Sequence, residues 1–388
     1  MDVVTAFLNP KLKEEIYMEL PEGAVNCQKP TYCRLKKSIS GLKQSSKAWY
    51  DMLDDTLRKF GMQRLKSEPC IYYWRRDKKM LIVGIYVDDL LILSNDNEVA
   101  KELKKALRKE FEMKDLGSAH WCIGIRINQD RKLGILSIDQ ERYIDEILER
   151  FSMSDCKMAK TPFDSSRVLS KELGSKTEEE RTEMKKIPYR EAVVGVVSRY
   201  SNDPGKAHWT AVKRIMRYLK ATKTMKLVYK KGEDSLTAYC DADWASDRDD
   251  RRSTTGFVVC LSGAAMSWNS KKQRTVALST TEAEYMAMSH TIQEITWLRS
   301  LCDELSVCHG RSRLLCDNLA AICISQGQDS SQRTKHIDIR HHFVKERVQD
   351  GHVSLVQIAS EDNAADMLTK PLVAARLNEC TKLVGMTL

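Results

Sequence analysis

The apolar run from Leu81 to Leu93 is broken at its centre by two adjacent aspartates, Asp88 and Asp89. Two charges in the middle of the run exclude a membrane-spanning helix. Because aliphatic and β-branched residues lie on both sides of the pair, the run predicts two short buried strands and a turn that presents the aspartates. The rest of the N-terminal third alternates helical and strand patterns, which predicts a domain of mixed sheet and helix.

The length of 388 residues predicts two or three domains. An apolar content of 42% with 30% charged residues excludes collagen-like, coiled-coil and wholly disordered chains. The net charge of +9 favours a polyanionic partner. The 12 cysteines are scattered without a CxxC pair, so they predict neither a zinc knuckle nor a disulfide framework, and a reduced, intracellular chain fits them best.

Apolar periodicity predicts the main elements of the first half. Helices are expected at Ser46–Phe60 and around Leu103–Phe111, and a hairpin is expected within His120–Ile138. Residues Asp164 to Lys186 are mostly charged and offer few apolar side chains to bury, so this stretch is predicted to be a linker. A basic amphipathic helix carrying Trp209–Leu219 follows it.

The last part of the chain reads strand, strand, strand, helix, strand, helix, which predicts an α/β layer. The predicted elements are Leu236–Asp241, Gly256–Leu261, Ala264–Trp268, the helix Thr280–Leu305 and the strand Arg313–Cys316. No tandem repeat is present.

Four separated carboxylates in this layer carry the clearest chemical signal. Asp241 ends the first strand and Asp317 follows the fourth, while Asp366 lies in the first turns of a C-terminal helix. Glu284 shares a helix stripe with Met288 and Ile292 that should face the sheet, where a carboxylate is expensive to bury without a cation.

Each aspartate taken alone is as readily a helix cap or a solvated turn residue. Glu284 fits that interpretation poorly. Two carboxylates about 4 Å apart repel each other by about 4 kcal/mol at an effective dielectric constant of about 20, whereas two divalent ions make their convergence favourable. Because the ligands are oxygen atoms, the expected ions are Mg²⁺ or Mn²⁺, two per active site, of the kind that serve phosphodiester hydrolysis.

Six segments in order resemble the RNase H domain of copia-type LTR-retrotransposon Pol polyproteins. They are Cys240–Trp244, Asp250–Gly256, Ser279–Tyr285, Cys316–Asn318, Lys335–Arg340 and Ala365–Leu372. The resemblance implies a carboxylate tetrad of Asp241, Glu284, Asp317 and Asp366 that binds two Mg²⁺ and cleaves the RNA strand of RNA–DNA hybrids.

Tyr86-Val-Asp-Asp89 resembles the catalytic motif of reverse transcriptases, although an isolated aspartate pair is often only a turn. Asp2–Asn9 resembles the strand that carries the first metal-binding aspartate of that family. The resemblance implies that Asp2, Asp88 and Asp89 hold two Mg²⁺ for polymerisation on an RNA template and a DNA primer. Gly41–Tyr50 resembles the helix beneath the template and the incoming nucleotide, which implies nucleic-acid contacts for Lys43 and Gln44.

The same resemblances imply further nucleic-acid contacts in the C-terminal segments. The residues are Arg251, Arg252, Lys335, His336 and Arg340. The group of His336, His341 and His342 also invites a zinc interpretation, but its spacing is not that of ligands on one helix face and no paired cysteines follow. A basic face that touches phosphates fits these residues better.

The expected fold class is α/β and α+β, a truncated reverse-transcriptase palm and thumb followed by an RNase H-like domain with a mixed sheet and flanking helices. The expected domains are residues 1–160, an N-terminally truncated reverse transcriptase; 161–233, a linker and connection region; 234–375, RNase H; and 376–388, a tail. The matched family has further Pol segments before Asp2 and a longer segment after Val193, which predicts an internal deletion. Asp2 is expected to fray, and the chain is not expected to polymerise as it stands.

The favoured function is therefore a retrotransposon-derived reverse transcriptase and RNase H fragment, with hybrid cleavage as the retained activity. The alternative is a catalytically inactive nucleic-acid-binding remnant of a transposon, and a third interpretation is a structural protein with incidental acids. The expected partners are RNA–DNA hybrids, template and primer, and the missing N-terminal Pol segments, without a membrane. The expected location is cytoplasmic, in a virus-like particle, or nuclear, and not secreted.

Overall fold

The computed structural model describes residues 1–21, 32–192, 195–232, 234–326 and 338–388, with side chains in the last range from 342 onward. The chain forms two compact units, Met1–Cys122 and Ile123–Leu388, and each is described by itself. Among the helices within these ranges, none has both the length and the apolarity needed to cross a bilayer.

The first unit is built on an antiparallel sheet. Its strands are Asp2–Val3 (β1), Tyr17–Glu19 (β2), Tyr32–Arg34 (β3), Gln63–Arg64 (β4), Ile71–Arg76 (β5), Lys79–Tyr86 (β6), Asp89–Ser94 (β7), Met113–Lys114 (β8) and Trp121–Cys122 (β9), and its helices are Ser45–Lys59 (α1) and Asn97–Glu110 (α2). The main sheet has the order β4–β5–β6–β7–β1–β8, and β2 pairs with β3 separately. The predicted hairpin on either side of Asp88 and Asp89 is confirmed as β6 and β7.

The two helices of the first unit bury their apolar stripes with the sheet. Trp49 and Leu53 of α1 and Leu103 of α2 share one buried cluster with Leu81 and Val83 of β6. The α2 helix begins where the Asp96 carboxylate accepts hydrogen bonds from two backbone N–H groups of its first turn. Both helices lie where the periodicity predicts them, within a few residues at their ends.

The second unit contains nine described strands and nine described α-helices within the ranges given above. The strands are Ile125–Asp130 (β10), Ile135–Asp139 (β11), Lys226–Lys230 (β12), Thr237–Ala242 (β13), Thr254–Leu261 (β14), Ala264–Lys272 (β15), Ser312–Cys316 (β16), Val353–Gln357 (β17) and Met386–Thr387 (β18). The helices are Glu141–Arg150 (α3), Glu178–Lys185 (α4), Tyr189–Ala192 (α5), Lys206–Thr222 (α6), Thr280–Leu305 (α7), Leu319–Ser325 (α8), Asp338–Gln349 (α9), Asp366–Thr369 (α10) and Ala374–Leu383 (α11).

A mixed sheet of order β15–β14–β13–β16–β17 forms the centre of this unit. Strands β13, β14 and β15 are antiparallel, whereas β13, β16 and β17 run parallel, with α7 as the crossover between β13 and β16. Met288 and Ile292 of α7 pack on one face of the sheet with Leu314 and Val353. On the other face, Val258 packs in a cluster with residues near α10 and α11. The predicted fold class, a mixed sheet with flanking helices, is confirmed.

A second antiparallel arrangement joins segments that are far apart in the chain. Strands β10, β11, β12 and β18 pair in that order. Residues from Ile123 onward therefore belong to the second unit, although the expected first domain extends to residue 160. Likewise β18 is a paired strand within the expected tail 376–388. Hydrogen bonds between strands that are remote in the chain leave no local signal in the sequence. This explains why the expected domain end at residue 160 and the expected unpaired tail both differ from the structure.

The prediction that Asp164–Lys186 is a linker is wrong. This stretch contains α4, which begins where the Thr177 hydroxyl accepts a hydrogen bond from the Glu180 N–H at 3.2 Å. One apolar residue of α4, Met184, is buried in a cluster with Tyr189 and Val212, and Glu183 of the same helix forms an ion pair with Lys206 at 2.8 Å. The expected deletion after Val193 lies outside the described residues.

Candidate functional site

The four acids of the second unit come from four different elements that meet at one edge of the mixed sheet. Asp241 lies near the end of β13, and Asp317 follows the neighbouring parallel strand β16. Glu284 lies on the first turns of α7, and its Oε1 accepts a hydrogen bond from the Ala242 N–H at 3.2 Å. Asp366 begins α10. Adjacent parallel strands end at the same edge, which brings the acids that follow them together.

Asp241 and Asp366 share one cation. The Lys370 ammonium is 3.2 Å from Oδ1 of Asp241 and 2.7 Å from Oδ1 of Asp366. The Thr369 hydroxyl donates to the other oxygen of Asp241, and Arg376 donates to Oδ2 of Asp366 at 3.3 Å. Burial raises the pKa of Asp241, and the Lys370 charge opposes this increase. Burial lowers the pKa of Lys370, but the two carboxylates outweigh burial and raise it above its ordinary value.

Of the three buried acids in this group, Glu284 has the fewest favourable contacts with described residues to offset the burial of its carboxyl group. Its side chain is 7% exposed, and its Oε2 has no hydrogen-bond partner among the described residues. Burial, followed by the nearby Asp241, raises the pKa of Glu284 to about 10. A buried carboxylate oxygen without a donor is costly unless a cation reaches it.

Asp317 completes the group from the more open side. Its Oδ2 accepts a hydrogen bond from the Ser360 hydroxyl at 2.7 Å, and its side chain is partly exposed. Ligand atoms of Glu284, Asp317 and the buried Cys316 lie within 4.8 Å of one another. The unpartnered oxygen of Glu284 and the crowding of acids fit a divalent cation, and the oxygen-rich donor set fits Mg²⁺ or Mn²⁺.

The three acids of the first unit also come together. Asp2 of β1 is the direct antiparallel partner of Asp89 of β7, and the Val3 N–H donates to the Asp88 carbonyl at 2.9 Å. The expectation that Asp2 frays is wrong, because β1 is held between β7 and β8 and Val3 is buried. Burial raises the pKa of Asp89, and the charges of Asp88 and Asp2 raise it further.

The turn that carries Asp88 is strained. Val87 has a φ of 55°, in the left-handed region that a β-branched residue rarely adopts. The Trp49 indole N–H holds this turn by donating to the Val87 carbonyl at 2.7 Å. Backbone strain that the surroundings maintain is typical of functional sites. Two-residue hairpin turns normally place glycine, asparagine or aspartate at such a position, so a β-branched valine there is the unusual feature of this turn.

The expected nucleic-acid contacts are distributed over both units. Gln44 stands at the N-cap of α1, preceded by the exposed Lys43, in the unit that holds Asp2, Asp88 and Asp89. Arg251 and Arg252 are exposed between β13 and β14. Lys335 and His336 lie outside the described residues, and His336 is one of the three histidines for which zinc is the less favoured interpretation. Arg340 lies in α9, where its side chain is not described.

The sequence predicts the acids but not the residues that hold them. The sequence pattern does not predict the contacts that Lys370, Thr369, Arg376 and Ser360 make with the acids. Lys370 has a local signal, because it lies four residues after Asp366, directly behind the short helix α10, and opposite charges at this spacing often meet. Ser360 and Arg376 reach their partners only through the tertiary fold.

Residues 1–165 match the family model described as "Reverse transcriptase (RNA-dependent DNA polymerase)". The whole chain is 41% identical to the retrovirus-related Pol polyprotein from transposon TNT 1-94 of Nicotiana tabacum and covers 30% of that protein. It is 36% identical to the Pol polyprotein from transposon RE2 of Arabidopsis thaliana and covers 27% of it. The putative transposon Ty5-1 protein of Saccharomyces cerevisiae is 32% identical over 76% of this chain, and the match covers 100% of that protein.

Among solved structures, the foamy viral protease-reverse transcriptase in complex with dsDNA matches 92% of this chain and 70% of its own chain. The sequence identity is 10% and the TM-score is 0.41. LC11-RNase H1 in complex with an RNA/DNA hybrid matches 35% of this chain and 94% of its own, at 16% identity and a TM-score of 0.28.

Proposed function

The chain belongs to the family of retrovirus-related Pol proteins of copia-type transposons, and we propose that its second unit cleaves the RNA strand of RNA–DNA hybrids. The observation that carries this proposal is that Asp241, Asp317 and Asp366 come together with Glu284 at one edge of the sheet, where a buried oxygen of Glu284 lacks a donor among the described residues. All four acids lie within residues 234–375, which we propose as the nuclease domain, with 1–160 as the reverse-transcriptase part. A cytoplasmic particle or the nucleus remains our proposed location.

Asp241, Glu284, Asp317 and Asp366 would hold the divalent ions. When bound, such ions activate a water molecule and stabilise the leaving oxygen of a phosphodiester. The protein's own part is to place the ligands before the substrate arrives. The Ala242 N–H orients Glu284, the Thr369 hydroxyl orients Asp241, and the Ser360 hydroxyl orients Asp317. Ligands fixed in this way need no rearrangement during the reaction.

The surroundings of the acids favour a nucleic-acid substrate. Trp244 follows Asp243 closely after β13, is 53% exposed, and is oriented by donating its indole N–H to the Ala277 carbonyl at 3.3 Å. An exposed aromatic ring of this kind can stack on a base or a sugar. Arg251 and Arg252 add positive charge in the following loop, where phosphates would be attracted.

The test is cleavage of a hybrid whose RNA strand carries a fluorescent label, by the purified chain with Mg²⁺. We expect nicking by the wild type and a loss of at least about 100-fold for Asp317→Asn, with hybrid binding retained, because the substitution removes a charge at the site of metal binding. Asp303→Asn, which alters an exposed acid on α7, is the matched control and should cleave normally.

The same assay separates the alternatives. Hybrid binding without any cleavage would identify the chain as an inactive nucleic-acid-binding remnant. The absence of binding would instead favour a structural protein with incidental acids. In both active and inactive forms, binding should weaken steeply as the salt concentration rises, because phosphate contacts release counterions.

RNA-directed DNA synthesis is the second candidate function, and the pairing of Asp2 with Asp89 favours it. The test is extension of a DNA primer on an RNA template in the presence of Mg²⁺ or Mn²⁺. Extension that is lost in Asp88→Asn and retained in Asp317→Asn would establish this function. Hybrid cleavage without extension would leave the nuclease as the activity of the chain.

A further inference from the structure

Lys370 occupies a central position among the acids of the second unit. Its ammonium is 2.7 Å from an oxygen of Asp366 and 3.2 Å from an oxygen of Asp241. Asp241 is fully buried and Asp366 is 7% exposed, so both carboxylates are largely removed from water. Two buried carboxylates that share a cation resemble half of a divalent-ion site, with an ammonium in place of the ion.

The close packing of α10 on β14 places this ammonium near β13. Gly256 of β14 is the direct partner of Asp241, and a Cβ built on Gly256 would lie 2.7 Å from Thr369 and 2.9 Å from Leu368. Only glycine lets the end of α10 approach the strand this closely. The approach brings the Thr369 hydroxyl and the Lys370 ammonium to the two oxygens of Asp241.

The ammonium is an incomplete substitute for a divalent ion. It offers a single charge, and within the described part of the chain Glu284 keeps one buried oxygen without a partner. The side chain of Lys370 is also 43% exposed, so its flexible stem has a path into solvent. Arg376 contacts the other oxygen of Asp366 and would keep that carboxylate oriented after the ammonium leaves.

We propose that Lys370 is a positioning residue that holds Asp241 and Asp366 together in the metal-free protein and that a divalent ion displaces when it binds. This inference rests on the proposed function, because it assumes that the same acids bind the metal. It has two consequences. The ammonium competes with the ion and weakens metal binding, and it also stabilises the metal-free fold by balancing two buried negative charges.

The first experiment measures Mn²⁺ affinity by calorimetry and by electron paramagnetic resonance of free Mn²⁺. The full chain carries Asp88→Asn and Asp89→Asn, so that the first unit does not contribute. We expect Lys370→Met to bind Mn²⁺ about tenfold or more tightly, the factor equivalent to one charge-assisted hydrogen bond. Lys370→Arg keeps a cation and should bind like the parent. Lys382→Met alters an exposed lysine on α11 and is the control.

The second experiment compares thermal unfolding of the same variants in EDTA and in saturating Mn²⁺. Lys370→Met should unfold at a lower temperature than the parent in EDTA, and the difference should disappear in Mn²⁺. A lysine with a merely structural role would lower the unfolding temperature in both conditions. If Lys370→Met fails to fold in EDTA but folds in Mn²⁺, that result would also support the displacement of the Lys370 ammonium by a divalent ion.

The outcomes distinguish the inference from the function on which it rests. Unchanged or weaker Mn²⁺ binding by Lys370→Met overturns the inference, provided that the parent binds Mn²⁺ and Asp241→Asn does not. If Asp241→Asn and the parent bind Mn²⁺ equally, the proposed metal site itself is wrong, and the proposed function fails with it.

Discussion

The buried carboxyl group of Glu284 makes the stability of the protein depend on pH. Its raised pKa, about 10, lies far above the ordinary value of 4.5, so the folded metal-free protein holds a proton there at neutral pH. When folding raises the pKa of a carboxyl group, the stability of the protein is highest below the unfolded-state pKa of 4.5. The stability then falls as the pH rises from 4.5 towards the pKa in the folded state. At neutral pH this carboxyl group therefore destabilises the metal-free protein.

Glu284→Gln should consequently raise the free energy of unfolding in EDTA at pH 7. The gain should be at most about 3 kcal/mol, the equivalent of the pKa difference between 4.5 and neutrality. The amide oxygen can still accept the Ala242 N–H bond. Urea unfolding measures the change. With Asp88→Asn and Asp89→Asn in both chains, Mn²⁺ should stabilise the chain that keeps Glu284 more than the variant. A variant that is less stable in EDTA would contradict this account.

His208 predicts a second dependence on pH. The ring is fully buried and stacks on Tyr200 at 4.1 Å between centroids. Its Nδ1 accepts from the Gly205 N–H and its Nε2 lies 3.0 Å from the Ser170 carbonyl, a pair of bonds that requires the neutral ring with its proton on Nε2. Burial lowers the pKa of His208 below its ordinary 6.5.

Because the unfolded chain takes up a proton below about pH 6.5 and folded His208 resists it, stability should fall as the pH decreases from 6.5. The loss should approach about 1.4 kcal/mol per pH unit until the folded-state pKa is reached. Urea unfolding at pH 7.5 and pH 5.5 measures it. His208→Asn should remove this part of the slope, whereas His309→Gln, at an exposed position, should keep it.

At the scale of elements, the close packing of α10 on β14 is what brings Asp366 to Asp241. Gly256→Ala should push α10 outward, because the added Cβ would lie within 3 Å of two side chains. We expect a loss of about 1–3 kcal/mol in stability and a larger loss of hybrid cleavage. Gly84→Ala in β6 meets open space and is the matched control. Equal cleavage by both variants would show that the position of α10 is unimportant.

Periodicity predicts the elements whose signal is local. The stripes of α1, α2 and α7 and the apolar strands around Asp88 follow from the spacing of their own residues. The α4 helix could not be predicted in this way, because Met184 is its one apolar residue and all the others except Thr182 are charged. The hydrogen bond from Ser360 to Asp317 depends in the same way on where distant elements lie.

For the whole molecule, the second unit extends beyond the sequence-defined nuclease domain. The Ala265 N–H donates to the Val384 carbonyl at 3.0 Å, and Leu377, Cys380 and Val384 are buried. Leu227 of β12 packs in the same cluster as Val384. The residues outside 234–375 therefore complete a core that the acids depend on.

A fragment of residues 123–388 should accordingly fold and cleave hybrids, whereas a fragment of residues 234–375 should be much less stable. Each large apolar side chain removed from the core costs about 1.5–3 kcal/mol. Circular dichroism during thermal unfolding compares the two fragments. Equal stability would show that the strands β12 and β18 and the helix α11 add nothing to the fold.

The hydrogen bond from Trp49 to the Val87 carbonyl has a practical consequence for spectroscopy. It couples a buried indole, packed edge-on against Phe111 at 5.1 Å, to the loop beside Asp88. The emission of this indole should therefore respond when a cation or a nucleotide tightens the loop. The chain has 7 tryptophans, and with all of them except Trp49 changed to phenylalanine the first unit would carry its own optical reporter of ligand arrival.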